Sequence, residues 1–106
     1  REDGLPHIEV GDAYFYVISE RGHEFKRRAT TDLDELLYWV LRDFVFSVAV
    51  DFEVRHRRMG QDSRRLMFAK EMELMSLISS EWATRLEGEH KDILVQHPFN
   101  DLDADL

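Results

Sequence analysis

The sequence predicts an α+β fold: a small antiparallel β-meander of two to three strands, then three helices, the first long and central. Three observations carry this. Tyr14-Phe15-Tyr16-Val17-Ile18 is an aromatic and β-branched run near the start of the chain. Leu33 to Met59 reads as one helix that is apolar on almost every side at about 100° per residue. Beyond Gly60, two further stretches with helical apolar spacing follow, each opened by a capping residue.

In the first thirty residues, Tyr14, Tyr16 and Ile18 share one strand face, and Phe15 and Val17 share the other. Ile8 and Val10 form a shorter strand before a Gly11-Asp12 turn. Glu20-Arg21-Gly22-His23 reads as a tight turn. Phe25 to Thr30 returns as an edge strand, where Lys26, Arg27 and Arg28 discourage further pairing.

Thr31 with Asp34 three residues on resembles a capping box that opens the long helix, and Gly60 suits its C-terminal cap. Apolarity on all sides predicts a helix wrapped by the rest of the chain. Arg42, Asp43 and Asp51 interrupt it, so it falls short of the roughly 18 apolar residues of a bilayer span. Asp62 caps a second helix from Ser63 to about Ile78. Ser79 or Ser80 caps a third, carrying Trp82, Leu86, Ile93 and Leu94, which Pro98 closes. The tail from Asn100 to Leu106 is expected to fray.

A chain of 106 residues makes one domain, 1–106, and its first residue, Arg1, points to a native N-terminal segment that precedes it. With no cysteine there is no disulfide framework and no thiolate chemistry. The net charge of −8 is spread as −4 over residues 1–35, +3 over 36–70 and −7 over 71–106. That balance disfavours nucleic acid and suits a basic protein partner. Among His7, His23, His56, His90 and His97, no pair has the three- or four-residue helical spacing of metal ligands. No phosphate loop, dinucleotide turn or nucleophile elbow occurs, so neither cofactor nor metal is expected.

On the long helix, Glu35, Arg42 and Glu53 make one polar strip flanked by Trp39 and Phe46. Asp51 falls instead within the apolar arc, in line with Leu33, Val40 and Phe44. A buried carboxylate there needs a partner. Arg55 lies four residues on, and Arg64 and Glu71 lie two turns apart among the apolar residues of the second helix. A buried network of Asp51, Arg55, Arg64 and Glu71 is expected, read as a structural tie, with a partly open pocket for a partner's group, or catalysis, as the alternatives. The basic run from Arg55 to Arg65 has no interleaved aromatic for base stacking and is read as salt bridges.

The order of segments resembles a known family. Pro6-His7-Ile8-Glu9-Val10 precedes Tyr14 to Gly22; Thr31 to Trp39 opens the long helix; Gln61-Asp62-Ser63-Arg64-Arg65-Leu66 leads into Glu71-Met72-Glu73-Leu74; Glu81-Trp82 and His97-Pro98-Phe99-Asn100-Asp101 follow. These segments resemble the immunity protein 63 family of bacterial polymorphic-toxin systems. The resemblance implies a cytoplasmic, non-enzymatic protein that binds and neutralises a cognate toxin. A basic nuclease domain would suit the acidic faces. Glu81, Glu87, Glu89 and Asp92 on the third helix are the first candidates for partner contact, with Glu35 and Trp39 as a second patch. The rival readings are an enzyme built on the Asp51 cluster and a small scaffold subunit. The chain is expected to be a monomer or a weak homodimer, away from membranes.

Overall fold

A computed structural model describes residues 3–20 and 23–103. Strands β1 (Asp3–Val10), β2 (Tyr14–Glu20) and β3 (His23–Thr30) form one antiparallel sheet in the order β1-β2-β3. Helices α1 (Leu33–Arg55), α2 (Ser63–Ile78) and α3 (Ser80–Gln96) follow, then a short 3₁₀ turn at Asp101–Asp103. The fold is the α+β arrangement expected, with a long first helix. The chain divides into two compact units, Arg1–Leu41 and Arg42–Leu106, and the division falls inside α1.

In the first unit, β2 is the middle strand, which is why the aromatic run sits there. Ile8 pairs with Tyr16 on one side, and Arg28 pairs with Tyr16 on the other. Pro6, which lacks an N–H, lies on edge strand β1. β1 is longer than the Ile8–Val10 fragment expected, and the Gly11 N–H closes the following turn onto the Ala13 carbonyl. The Arg21-Gly22 turn lies outside the described residues. Tyr16, Val17, Leu36, Tyr38 and Trp39 are buried. On the Val17 side of the sheet, His7 and Arg27 hydrogen-bond Glu9, which holds its carboxyl below the usual carboxylate range.

The cap of α1 lies one residue later than the sequence suggests. Asp32 Oδ1 accepts from the Asp34 N–H at 2.9 Å and the Asp32 carbonyl accepts from Leu36, so Asp32, rather than Thr31, is the N-cap. The helix also stops at Arg55, four residues short of Met59. His56 ends it. Its ring stacks on Phe52 at 4.2 Å, and its Nδ1 and its backbone N–H both donate to the Phe52 carbonyl. Gly60 adopts the expected positive φ of 75°, but inside the connecting loop rather than as the cap.

In the second unit, α2 and α3 form an antiparallel hairpin around Ser79. The Ser79 N–H donates to the Met75 carbonyl at the end of α2, and its hydroxyl accepts from the Trp82 N–H at the start of α3. Val45, Ala49, Met75, Ala83 and Leu86 are buried, together with the polar side chains of Glu53, Glu71 and His90.

The expectation that α1 is wrapped on every side is corrected by the exposure of its apolar arc. Phe44 is 59% exposed, and Leu33 and Leu37 on the same face are exposed as well. The strip that turns inward carries polar residues: Glu53 is buried and Arg42 is largely covered.

Candidate functional site

The buried polar cluster of the second unit is built from α1, α2 and α3. Its centre is Glu71, only 1% exposed, on the α2 face that also carries Phe68 and Met75. Glu71 Oε2 accepts from Arg42 Nη1 at 2.6 Å, and Oε1 lies 2.9 Å from His90 Nε2. Arg42 Nε donates to Glu89 Oε1 at 3.0 Å, and Glu89 also faces Arg85. The His90 ring stacks on Phe68 at 4.0 Å with planes 8° apart. A carboxylate this deep in the chain is tolerated because both oxygens are engaged, one by a fixed positive charge. The same engagement leaves neither oxygen open to a reacting group.

This cluster replaces the network expected from sequence. Asp51 is 63% exposed and pairs with Arg55, itself 71% exposed, at 3.1 Å. The pairing is as expected, but the burial is not. Asp51 stands on the outward arc of α1, where water solvates it. Arg64 is turned away as well: it forks onto Asp62 and donates to the carbonyls of His97 and Pro98 at 2.8 and 2.9 Å. Of the four residues expected together, only Glu71 lies in the buried cluster.

A second cluster clasps the segment after α3 onto the start of α2. Asp62 caps α2 through the Arg64 N–H, takes the Arg64 guanidinium on both oxygens, and accepts from the Asn100 N–H at 2.9 Å. Arg65 binds both oxygens of Asp101, and Asp101 Oδ1 accepts from the Asp62 N–H at 2.7 Å. Phe99 lies under the Arg65 guanidinium at 4.2 Å and against Phe68 at 6.1 Å. The Arg64 hydrogen bonds hold the Asp62 carboxyl far below the usual carboxylate range against the opposing effect of burial. Asp101 is also lowered, chiefly by Arg65. Asn100 and Asp101, expected to fray, are thus tied down; residues 104–106 lie outside the described residues.

Four arginines of the basic run form ion pairs, and Arg58 stays exposed. Arg57 binds both oxygens of the buried Glu53, which lowers that carboxyl, and Arg55, Arg64 and Arg65 pair with Asp51, Asp62 and Asp101. The candidate contact residues separate. Glu81, Glu87 and Asp92 are exposed on the outer side of α3, whereas Glu89 is half-buried and committed to Arg42. Trp39 is only 7% exposed, with Tyr16 beside it and the Arg28 guanidinium 4.0 Å over its ring, so it presents no open face. Glu35, also half-buried, lies on the inward strip of α1. Among the described residues, no group of three His, Asp or Glu side chains is placed to hold a metal ion, and no helix is long and apolar enough to cross a membrane.

Arg42 and His90 are the members of the buried cluster that sequence reasoning left unassigned. A signal existed for His90, which follows Leu86 by four residues on the apolar face of α3. None existed for Arg42, because α1 has apolar residues on both sides of its polar strip.

Comparison with known proteins adds one finding. A family model described as Immunity protein 63 matches residues 11–92 of the 106-residue chain. The matched span holds β2, β3, α1, α2 and the Arg42–Glu71–His90 cluster, and it ends before the Phe99–Asp101 clasp. No curated protein and no solved structure matches.

Proposed function

We propose that this chain, which belongs to the immunity protein 63 family, neutralises a cognate bacterial toxin by direct protein–protein contact. The family match over residues 11–92 carries the reading. The polar clusters support binding over catalysis: Glu71, Asp62 and Glu53 are each held by an arginine of the same chain. Glu71 in this way ties three helices, and Asp62 ties the start of α2 to the segment after α3.

The chain acts as a single domain in the cytoplasm of the producing cell, where the toxin must be silenced before export or on re-entry. Its net charge of −8 suits a basic partner such as a nuclease domain. Glu81, Glu87 and Asp92, exposed along α3, raise the rate of encounter with such a surface.

The test is co-expression with the toxin domain encoded beside this gene. Protection of the host cell, together with a 1:1 complex on gel filtration, is the expected result. Unprotected cells and no complex would overturn the reading.

A further inference from the structure

A cavity of about 200 Å³ opens at the turn between β1 and β2, wholly within the first unit. Val10, Gly11, Asp12, Ala13, Tyr14 and Thr31 line it. The sheet brings them together: the turn closed by the Gly11 N–H on the Ala13 carbonyl holds Asp12, and Tyr14 pairs with Thr30, the neighbour of Thr31. The lining thus carries one carboxylate, one phenol and one hydroxyl. None of these three side chains hydrogen-bonds or pairs with another described residue. Glu9, Glu53, Asp62, Glu71 and Asp101, by contrast, are each held by an arginine of this chain. Asp12 is an acid left in a hollow, and no lysine or arginine lines that hollow with it.

Size and chemistry together select the occupant. Pockets for drug-sized ligands and cofactors take roughly 300–1,000 Å³, so this one suits the end of a single side chain. An anion is disfavoured, because Asp12 lines the cavity and Asp32 already caps the start of α1 beside Thr31. A guanidinium fits best. Its fork pairs with both oxygens of a carboxylate, and its plane is attracted to an aromatic face such as that of Tyr14. We infer that this cavity receives an arginine side chain of the toxin. The inference rests on the proposed role as an immunity protein and names one anchor of that interface. Arginine is among the residue types enriched where a few side chains dominate binding. The acids of α3 then steer the encounter, and the Asp12 cavity holds the seated arginine.

The experiment uses the full chain with two probes: the purified toxin domain encoded beside this gene, and ethylguanidinium chloride, the end of an arginine side chain. Toxin binding kinetics are measured for the wild type, Asp12→Asn and Asp34→Asn, with the thermal midpoint of each recorded by circular dichroism. Asp12→Asn keeps the shape and removes the charge. It is expected to bind at least about 10-fold more weakly, with the loss in the dissociation rate, because truncating a seated charge pair speeds release. Asp12 is exposed, so its midpoint should stay within a few degrees of wild type. Asp34 is exposed at the start of α1 and does not line the cavity, so Asp34→Asn should change affinity by no more than about twofold. Ethylguanidinium should shift the amide resonances of Gly11, Asp12, Ala13 and Thr31 saturably in the wild type and not in Asp12→Asn. An Asp12→Asn variant that binds the toxin as wild type does would overturn the arginine anchor and leave the immunity role standing. A wild-type chain that neither binds the toxin domain nor protects the cell would overturn both. Shifts scattered over the acidic surface instead of these four amides would overturn the cavity as a cation site. Stronger shifts with n-butylammonium chloride would put lysine in place of arginine and overturn the guanidinium. A wild-type dimer by light scattering that Asp12→Asn dissociates would show that a second copy fills the cavity, and would overturn the toxin as its source.

Discussion

Glu71 Oε2 lies 2.6 Å from Arg42 Nη1, and the pair joins the polar strip of α1 to the buried face of α2. The other oxygen of the same carboxylate reaches His90 on α3, so one side chain ties three helices. Removing one member of a buried ion pair is costly because the remaining charge is stranded.

Glu71→Ala is therefore expected to lower stability by about 3 kcal/mol or more, since it leaves the Arg42 guanidinium and the His90 ring without their shared partner. Asp51→Ala is expected to change stability by no more than about 0.5 kcal/mol, because the Asp51–Arg55 pair is exposed. Urea unfolding of the two variants checks both at once. Equal midpoints would contradict this assignment of the buried and the solvated carboxylate.

The clasp at Asp62 predicts an acid-sensitive contribution. The folded Asp62 carboxyl is held well below its ordinary value by Arg64, and Asp101 is lowered by Arg65. A depressed folded value means that the unfolded chain takes up the proton first. The stabilisation is then complete above the unfolded value of about 3.9 and is lost as pH falls below it towards the folded value. Asp101 is largely solvated, so most of the effect belongs to Asp62. Asp62→Asn should melt below wild type at pH 7, with the gap narrowing between about pH 4 and pH 2.5. A gap that stays constant with pH would show that the Asp62 charge contributes nothing.

The meander, the three helices and the caps at Asp62 and Ser79 were legible because each has a local cause: strand composition, apolar periodicity, a capping side chain. The inward side of α1 was not. Its apolar residues surround the helix, so periodicity does not choose between the Phe44 arc and the Arg42 strip. The choice is made by Glu71 and His90 on the other helices, and a single helix pattern holds no record of them. Asp51 was misplaced for that reason. The burial of Glu71, though not its partners, is legible because Phe68 and Met75 share its face. The end of α1 at Arg55 precedes the glycine that marks it in sequence, because Gly60 takes its positive φ inside the connecting loop.

Gly88 stands in the middle of α3, and a methyl group built there meets nothing within 4 Å. Glycine inside a helix is disfavoured against alanine by about 0.8–1 kcal/mol, in part through the freedom of the unfolded chain. Gly88→Ala should therefore raise stability by about 0.5–1 kcal/mol, seen as a thermal midpoint several degrees higher. An unchanged or lowered midpoint would mean that α3 has a constraint at this position beyond helical propensity.

The four acids of α3 first considered together are expected to behave as two classes. Glu81, Glu87 and Asp92 are exposed, whereas Glu89 holds Arg42 at 3.0 Å and faces Arg85. Reversing Glu81, Glu87 and Asp92 to lysine should leave stability within about 0.5 kcal/mol per site. It should slow association with a basic toxin domain and flatten its salt dependence, because peripheral charges act on the approach of the partners more than on the finished complex. Glu89→Lys should instead destabilise the fold, since it sets a third positive charge beside Arg42 and Arg85. The measurement pairs a thermal melt of each variant with stopped-flow association at two salt concentrations. Wild-type kinetics at both concentrations for the triple reversal would remove α3 from the approach path. The acids at the start of α1, Asp32 and Asp34, would then be the next to reverse.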